Sequence, residues 1–400
     1  MNSRLKYLVV LTSTCLVVLL LIGSVLGKSS SPEGAYRQLG VYTEVLHRIK
    51  SEYVEEPDLK SVTLGALNGM LESIDPFASY LNADQYKDYL KNKDAKKAEV
   101  GLILSKKFGY VGVVGAIPGS PAAKAGLSTG DMLETIKGVA TRDMPLAYAY
   151  LLLQGDPGTS VDLTVVRVRR PEPSKLKLNR VEITYPAVTA KMMPDQIGYV
   201  DPETLASGKA QEVAAALENL QKQGAQKLIL DLRNCAVGQP DEGIALANLF
   251  LSKGLIAYLQ GQRVPRQNFD ANPAKAVSKL PLVVLTNRGT ADGAEIAAAA
   301  LLDDKRAELV GERTYGDASL RRAITMDDGG AIILSVAKYY SPSGKAIQDT
   351  GVTPGTLMAE PDQQVDVDEN GEPLPETAEQ PQAKNQEDPL LKKAVELLKK

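Results

Sequence analysis

The stretch "PLVVLTNRGTADGAEIAAAALLDD" (Pro281–Asp304) joins a short apolar run to an alanine-rich segment through a tight turn. The apolar run is typical of a buried strand, and the alanines favour a helix. A strand, turn and helix in this order form a platform whose backbone N–H groups and helix dipole can stabilise an oxyanion. The exposed position of the turn holds Asp292, so this platform lacks a serine nucleophile.

The segments around this platform continue the alternation of strands and helices. "QIGYV" (Gln196–Val200) and "KLILDLR" (Lys227–Arg233) predict strands, and a helical segment follows each of them. Alternating strands and helices favour a mostly parallel sheet with covered faces. We therefore predict an α/β core over residues 171–358.

Upstream of the core, residues 96–170 hold short strands such as "VGLILS" and "YVGVVGAI". Together with "GSPAAKAGLSTGD" (Gly119–Asp131) they resemble a PDZ domain of the circularly permuted bacterial kind. The resemblance implies a groove in which an extended peptide adds as another strand, its C-terminal carboxylate held by backbone N–H groups. The groove residues that it implies are Val100, Gly101, Leu102 and Ile103.

Residues 29–95 show apolar residues at helical spacing, as in "YTEVLHRI" and "LGALNGMLESI", and predict a small helical domain. At the other end, residues 359–400 are acidic and rich in proline, which is typical of a disordered tail. Its final stretch, "PLLKKAVELLKK", predicts a short amphipathic helix.

Residues 1–28 contain the mostly apolar, uncharged stretch "LVVLTSTCLVVLLLIGSVL" (Leu8–Leu26). It is long enough to span a bilayer as a helix. Arg4 and Lys6 precede it and predict an N-terminus in the cytoplasm, with the body on the periplasmic or extracellular side. We predict a single-pass membrane anchor; a cleaved signal peptide is the alternative.

The composition excludes several classes of function. The formal net charge is -3 and no basic block interrupts the folded part, so we expect no nucleic-acid partner. The single histidine, His47, is too little for Ser-His-Asp catalysis or a His-rich metal site. The two cysteines, Cys15 and Cys235, lie far apart in sequence and predict no disulfide framework. We predict neither a metal nor a cofactor.

Four stretches resemble the carboxy-terminal processing proteases, a family of Ser–Lys peptidases that carry a PDZ domain. The stretches are "IDPFASYL" (Ile74–Leu81), "LILDLRNCAVG" (Leu228–Gly238), "VGERTYGDASL" (Val310–Leu320) and "AKYYSPSGKAIQDTGVTP" (Ala337–Pro354). The resemblance covers most of the chain. It implies an α/β peptidase core with a mostly parallel sheet, preceded by a small helical domain and an inserted PDZ domain of α+β structure.

The same resemblance implies that the catalytic positions have been substituted. The family's nucleophilic serine falls on Asp292, its general-base lysine on Asp317, and the glutamine that orients this lysine on Arg321. Val237 replaces the first glycine of a pair in the oxyanion loop. A carboxylate with an ordinary pKa is a poor base and a weak nucleophile toward amides.

We therefore predict a pseudopeptidase that acts by binding protein C-termini or unstructured peptides, with an active relative or a second copy as candidate partners. The alternative is a divergent active peptidase that cleaves protein C-termini through a rearranged site.

The sequence allows three alternative arrangements of a functional site. Asp292 and Asp317 can share a proton as a carboxylate dyad, or can hold a divalent cation together with Glu295. Cys235 can replace the nucleophile, although no histidine of the core activates it. Against all three, Asp292 and Glu295 have the spacing of a helix N-cap and its capping-box partner.

Overall fold

The computed structural model describes residues 33–93, 97–167, 170–359 and 388–399. The chain divides into two compact units, Met1–Leu64 and Gly65–Lys400. The predicted anchor at Leu8–Leu26 and most of the predicted tail lie outside the described residues. Among the described helices, none is both long enough and apolar enough to cross a bilayer.

The predicted helical domain contains helices and one short strand. The first unit holds α1 (Glu33–Glu52), and α2 (Leu59–Glu72) begins in that unit and ends in the second. The strand β1 (Ser79–Leu81) and the helix α3 (Ala83–Lys93) follow. Asp75 precedes a proline, which disfavours helical backbone at that residue and ends the helical pattern.

The PDZ-like module is a six-stranded antiparallel sheet with two short helices. Its elements are β2 (Leu102–Lys107), β3 (Tyr110–Ala116), α4 (Pro121–Lys124), β4 (Met132–Ile136), β5 (Val139–Ala140), α5 (Leu146–Leu153), β6 (Ser160–Arg167) and β7 (Arg170–Asn179). The strand order is β2-β3-β4-β6-β7, and β5 pairs with β4, so β2 lies at an edge.

The module extends beyond the boundary at residue 170 that the sequence predicts. β7 pairs with β6 along its length, from Ser160 opposite Asn179 to Arg167 opposite Arg170. The prediction stopped short because β7 contains two prolines and several charged residues, a composition that strands disfavour. Pairing with the apolar strand β6 stabilises β7 nevertheless.

The core is built on a six-stranded sheet of order β17-β14-β13-β10-β9-β8. Its strands are β8 (Thr189–Met193), β9 (Ile197–Asp201), β10 (Lys227–Asp231), β13 (Leu282–Thr286), β14 (Glu308–Gly311) and β17 (Thr356–Leu357). Every neighbouring pair is parallel except β8 with β9, so the prediction of a mostly parallel sheet is confirmed.

Helices cover both faces of this sheet because side chains alternate along its strands. Leu228 and Leu230 of β10 pack with the helices α6 (Lys209–Lys222), α7 (Pro240–Asn248) and α8 (Gly293–Asp303). Ile229, between them, packs with the helix α9 (Pro389–Lys399) instead. The platform of strand β13 and helix α8 therefore sits inside the core.

The protein contains a further sheet of five strands, which is antiparallel. It holds β1, β11 (Leu255–Gln260), β12 (Gln267–Asp270), β15 (Ser319–Thr325) and β16 (Ala331–Tyr340). β1 pairs with the start of β16, with Ser79 opposite Ile333. The carboxylate of Asp75 accepts a hydrogen bond from the N–H of Ser335 at 2.9 Å. These contacts place "IDPFASYL" against the core.

Candidate functional site

Asp292 occupies a sharp turn between β13 and α8. Its backbone angles are φ 50 and ψ -121, a region that non-glycine residues rarely adopt and that costs about 1–3 kcal/mol. The following residue is glycine because a Cβ at Gly293 would lie 2.4 Å from the carbonyl oxygen of Gln239. A Cβ at Gly243 would lie 2.0 Å from the Gly293 oxygen, so α7 and α8 approach closely. The turn presents Asp292 to a cavity.

Glu295, in the first turn of α8, joins the two candidate catalytic positions. Its fully buried carboxylate accepts the N–H of Asp292 at 3.1 Å and the N–H of Asp317 at 2.7 Å. It also accepts the N–H of Gly316 at 2.7 Å and the hydroxyl of Thr314. Burial raises the pKa of Glu295 to about 8, although these hydrogen bonds favour the ionised form.

The role of Glu295 exceeds the prediction from sequence. Asp292 is the N-cap residue of α8, and its N–H donates to the side chain of Glu295, which is the half of a capping box that Glu295 contributes at the predicted spacing. Thr314, Gly316 and Asp317, which donate the other hydrogen bonds to Glu295, lie in a loop that is distant in sequence. The residues around Glu295 give no indication of these contacts. They fix the backbone of that loop beside the turn.

Asp317 and Arg321 form an ion pair at the start of β15. The Asp317 side chain is buried, and the guanidinium carbon of Arg321 lies 4.1 Å from the ring centroid of Phe77. Burial raises the pKa of Asp317, whereas the guanidinium beside it favours the carboxylate. Among the described residues, the buried Nε of Arg321 has no hydrogen-bond partner. The positions expected to hold a lysine and its orienting glutamine are thus occupied by an aspartate and an arginine that pair with each other.

The ionisation of Asp292 is suppressed by its surroundings. Burial raises the pKa of Asp292 well above its ordinary value, the negative charge of Asp317 adds to this effect, and Arg321 opposes it. The two acids therefore interact through their charges across the cavity wall that they share.

A cavity of about 410 Å³ connects these positions to the PDZ-like groove. One part of its wall is formed by Asp292, Asp317, Arg321, Val237 and Gly238. Another part is formed by the edge strand β2 and by α5, through Ile103, Leu104, Leu146, Tyr150 and Leu151. A peptide that occupies the groove would therefore have its side chains within the same cavity as Asp292.

The oxyanion-loop position predicted from sequence also lies at this cavity. The carbonyl of Val237 accepts the N–H of Leu205 at 2.7 Å, whereas the N–H of Val237 donates to no atom of the described residues. A Cβ at Gly238 would lie 2.9 Å from the nitrogen of Gly293, which keeps this loop against the turn. A backbone donor therefore remains available near Asp292.

The predicted PDZ residues lie at the start of β2. Val100 and Leu102 are buried, and the carbonyl of Val100 accepts the N–H of Ala122 at 3.0 Å. Gly101 has φ 79, which a residue with a side chain disfavours, and Ile103 faces the cavity.

Further along β2, contacts within the chain already use part of the free edge. The N–H of Leu104 donates to the hydroxyl of Tyr150 at 2.8 Å. The N–H of Lys106 donates to the carbonyl of Pro76 at 2.8 Å. A peptide that pairs with this edge must displace these contacts or bind closer to Val100.

The other rearranged sites have little structural basis. Cys235 is fully buried, and burial raises the pKa of its thiol, so it is a poor nucleophile. Within the described ranges, no group of three or more His, Cys, Asp or Glu residues is placed to hold a metal ion.

Comparison with known proteins identifies two matching family models. Residues 196–357 match the model of peptidase family S41, and residues 112–167 match a PDZ domain. The chain is 32% identical over 341 residues to a carboxy-terminal-processing protease of Bartonella bacilliformis, covering 83% of this chain and 78% of that protein. It is 31% identical to the carboxy-terminal processing protease CtpA of Bacillus subtilis, covering 90% of this chain and 78% of that one.

A solved structure shares the fold. The photosystem II D1 C-terminal processing protease superposes with a TM-score of 0.65 at 30% sequence identity. The match covers 78% of this chain and 86% of that protein.

Proposed function

Because this chain belongs to the carboxy-terminal processing proteases of peptidase family S41, we propose that it binds peptides without hydrolysing them. The observation that carries the proposal is the ion pair of Asp317 with Arg321 beside the carboxyl group of Asp292. Serine-type hydrolysis requires a hydroxyl and a neutral amine at these positions. Here the hydroxyl is absent and the base is a carboxylate held by a cation.

The backbone around the site supports the other half of the proposal, a retained binding surface. The strained turn at Asp292, the donor at Val237 and the cavity beside β2 form a surface suited to an extended peptide. A binder that lacks the reaction can use this surface to hold a protein segment or to present it to an active relative. Self-association through the same surface is the other partner arrangement that we propose.

A second candidate is a divergent peptidase, supported by the raised pKa of Asp292. A raised pKa lets a carboxyl group keep its proton to higher pH, where it can act as a general acid. The relatives named above are proteases, which also favours this candidate. It requires a water molecule placed by a base, and Asp317 is engaged by Arg321.

We also propose that the protein is anchored in the membrane by Leu8–Leu26, with its body outside the cytoplasm. The supporting observations are the length of this apolar stretch and the basic residues Arg4 and Lys6 ahead of it.

The first prediction is that the full chain, purified in detergent, does not cleave casein or an unstructured peptide above background. The physical reason is that no side chain at the turn can act as an activated nucleophile. Asp292→Ala is expected to leave this background unchanged. Any residual cleavage is then attributed to a contaminating protease and not to this protein. Cleavage by the unmodified chain that disappears in both Asp292→Ala and Asp317→Ala would favour the divergent peptidase.

The second prediction concerns the start of the groove. A peptide with a free apolar C-terminus is expected to bind the full chain with micromolar or weaker affinity, roughly -8 kcal/mol or less favourable. Its C-terminal amide should bind at least about tenfold more weakly, because the amide carries no negative charge for the N–H groups near Val100 and Leu102. Fluorescence anisotropy of labelled peptides measures both affinities. Equal binding of the two forms would contradict carboxylate capture.

A further inference from the structure

We propose that the cavity binds a basic side chain, lysine or arginine, of a peptide lying in the groove, with the charged end against Asp292. This inference rests on the proposed function, because it specifies which peptides that site selects. It follows from the charges, the walls and the position of the cavity.

The charges of the cavity wall leave one acid without a counter-ion. Asp292 and Asp317 are its acidic residues and Arg321 is its basic residue. Arg321 forms its ion pair with Asp317, and no Lys, Arg or His of the described chain forms one with Asp292. An ionised Asp292 would therefore depend on a guanidinium that already pairs with Asp317, which is costly for an enclosed carboxylate. A cation brought by a ligand supplies that partner.

The walls of the cavity suit the remainder of a basic side chain. Ile103, Leu146, Leu151 and Ile333 provide apolar surface for an aliphatic stem. The rings of Phe77, Tyr89 and Tyr150 also face the cavity and can contact a cation. Phe77 already does so with Arg321. A cavity of about 410 Å³ accommodates a side chain of this length together with part of the peptide backbone.

A second carboxylate placed beside Asp292 is disfavoured. A peptide carboxylate placed against Asp292 would add a negative charge beside two acids that share one guanidinium. The peptide carboxylate is better held near Val100, where neither of these two acids lies. The adjoining acid there, Glu99, is half-buried, and burial raises the pKa of its carboxyl group, which favours the neutral form.

Binding of a cation at Asp292 is coupled to the release of a proton. Burial, assisted by Asp317, raises the pKa of Asp292 and so favours the protonated form of the free site. A bound ammonium group favours the carboxylate, and the proton passes to the buffer. The affinity for a basic peptide should therefore rise with pH until the pH exceeds the pKa of the free carboxyl group. The ionisable groups that interact with Asp292 are Asp317, Arg321, Glu295, Cys235 and Tyr339.

The test compares two fluorescein-labelled peptides of alanine and serine that differ only at a central residue, lysine in one and norleucine in the other. Norleucine keeps the stem and omits the ammonium group. We expect the lysine peptide to bind the full chain at least about tenfold more tightly at pH 8, and this ratio to shrink as the pH is lowered. Asp292→Asn should abolish the ratio while binding norleucine peptide as before, which shows that the site is folded. Asp162→Asn, on the exposed face of β6, is the matched control and should retain the ratio.

Each other outcome has a definite meaning. Equal affinities of the two peptides for the unmodified chain would overturn the cation site and leave peptide binding intact. A ratio that persists in Asp292→Asn would also overturn it, by placing the cation at another acid. Absence of binding by both peptides would instead contradict the proposed function itself.

Discussion

The triple variant Asp292→Ser, Asp317→Lys, Arg321→Gln is expected to react with a serine-directed fluorophosphonate and to cleave casein. Loss of catalytic-triad residues typically costs a factor of about 10⁴–10⁶. Their restoration on an intact platform should therefore raise turnover at least about 10³-fold above the unmodified chain. Covalent labelling detected by mass spectrometry, together with release of peptides from casein, measures the gain.

The backbone of the site gives the physical reason for expecting this gain. The backbone at Asp317 is held by its own N–H, which donates to Glu295, and this bond is kept when the side chain is replaced. An amine introduced there would be enclosed, and burial lowers the pKa of an amine toward the range of a general base. The strained turn at Asp292 is held by Gly293 and its close contacts, which the substitution leaves unchanged.

Two control variants make the result specific. The single change Asp292→Ser supplies a hydroxyl but leaves Asp317 paired with Arg321, so it should remain unlabelled. Asp292→Ala combined with the other two changes supplies the amine without a nucleophile and should be equally inert. If the folded triple variant stays inactive, Val237→Gly is added to relax the oxyanion loop. Continued inactivity would contradict an intact platform.

Periodicity predicted the strands and helices of the core well because each of these elements carries its own pattern of apolar residues. The strands at Lys227–Asp231 and Leu282–Thr286 and the helix at Gly293–Asp303 are each specified by their own residues. The antiparallel sheet was harder to predict. β1 is a strand of three residues whose partner lies at Ile333, and so short an apolar stretch carries no periodic signal.

For the site, the resemblance brought together Asp292, Asp317 and Arg321, and the structure places all three on one cavity. Spacing could not reveal that Arg321 lies over Phe77, because that contact joins two segments distant in sequence. The sequence could not predict either that this cavity is continuous with the groove of the PDZ-like module. It depends on how the edge strand β2 packs beside the core.

The largest expected effect on stability is that of Glu295→Ala, which we expect to lower the free energy of unfolding by about 4 kcal/mol or more. The change leaves three buried N–H groups, those of Asp292, Gly316 and Asp317, without their acceptor. Each unsatisfied buried donor costs about 1–3 kcal/mol. The hydroxyl of Thr314 loses its contact as well. The midpoint of urea unfolding, followed by far-ultraviolet circular dichroism, measures the loss.

Glu218→Ala is the matched control, since Glu218 lies on the exposed face of α6 in the same core. It makes the same chemical change in a helix and should alter stability by less than about 0.5 kcal/mol. Similar midpoints for the two variants would mean that the carboxylate of Glu295 does not hold the loop of Asp317. The hydrogen bond from the Asp317 N–H to Glu295, on which the prediction for the triple variant depends, would then not stabilise the loop. A large difference would locate that support in the single buried carboxyl group of Glu295.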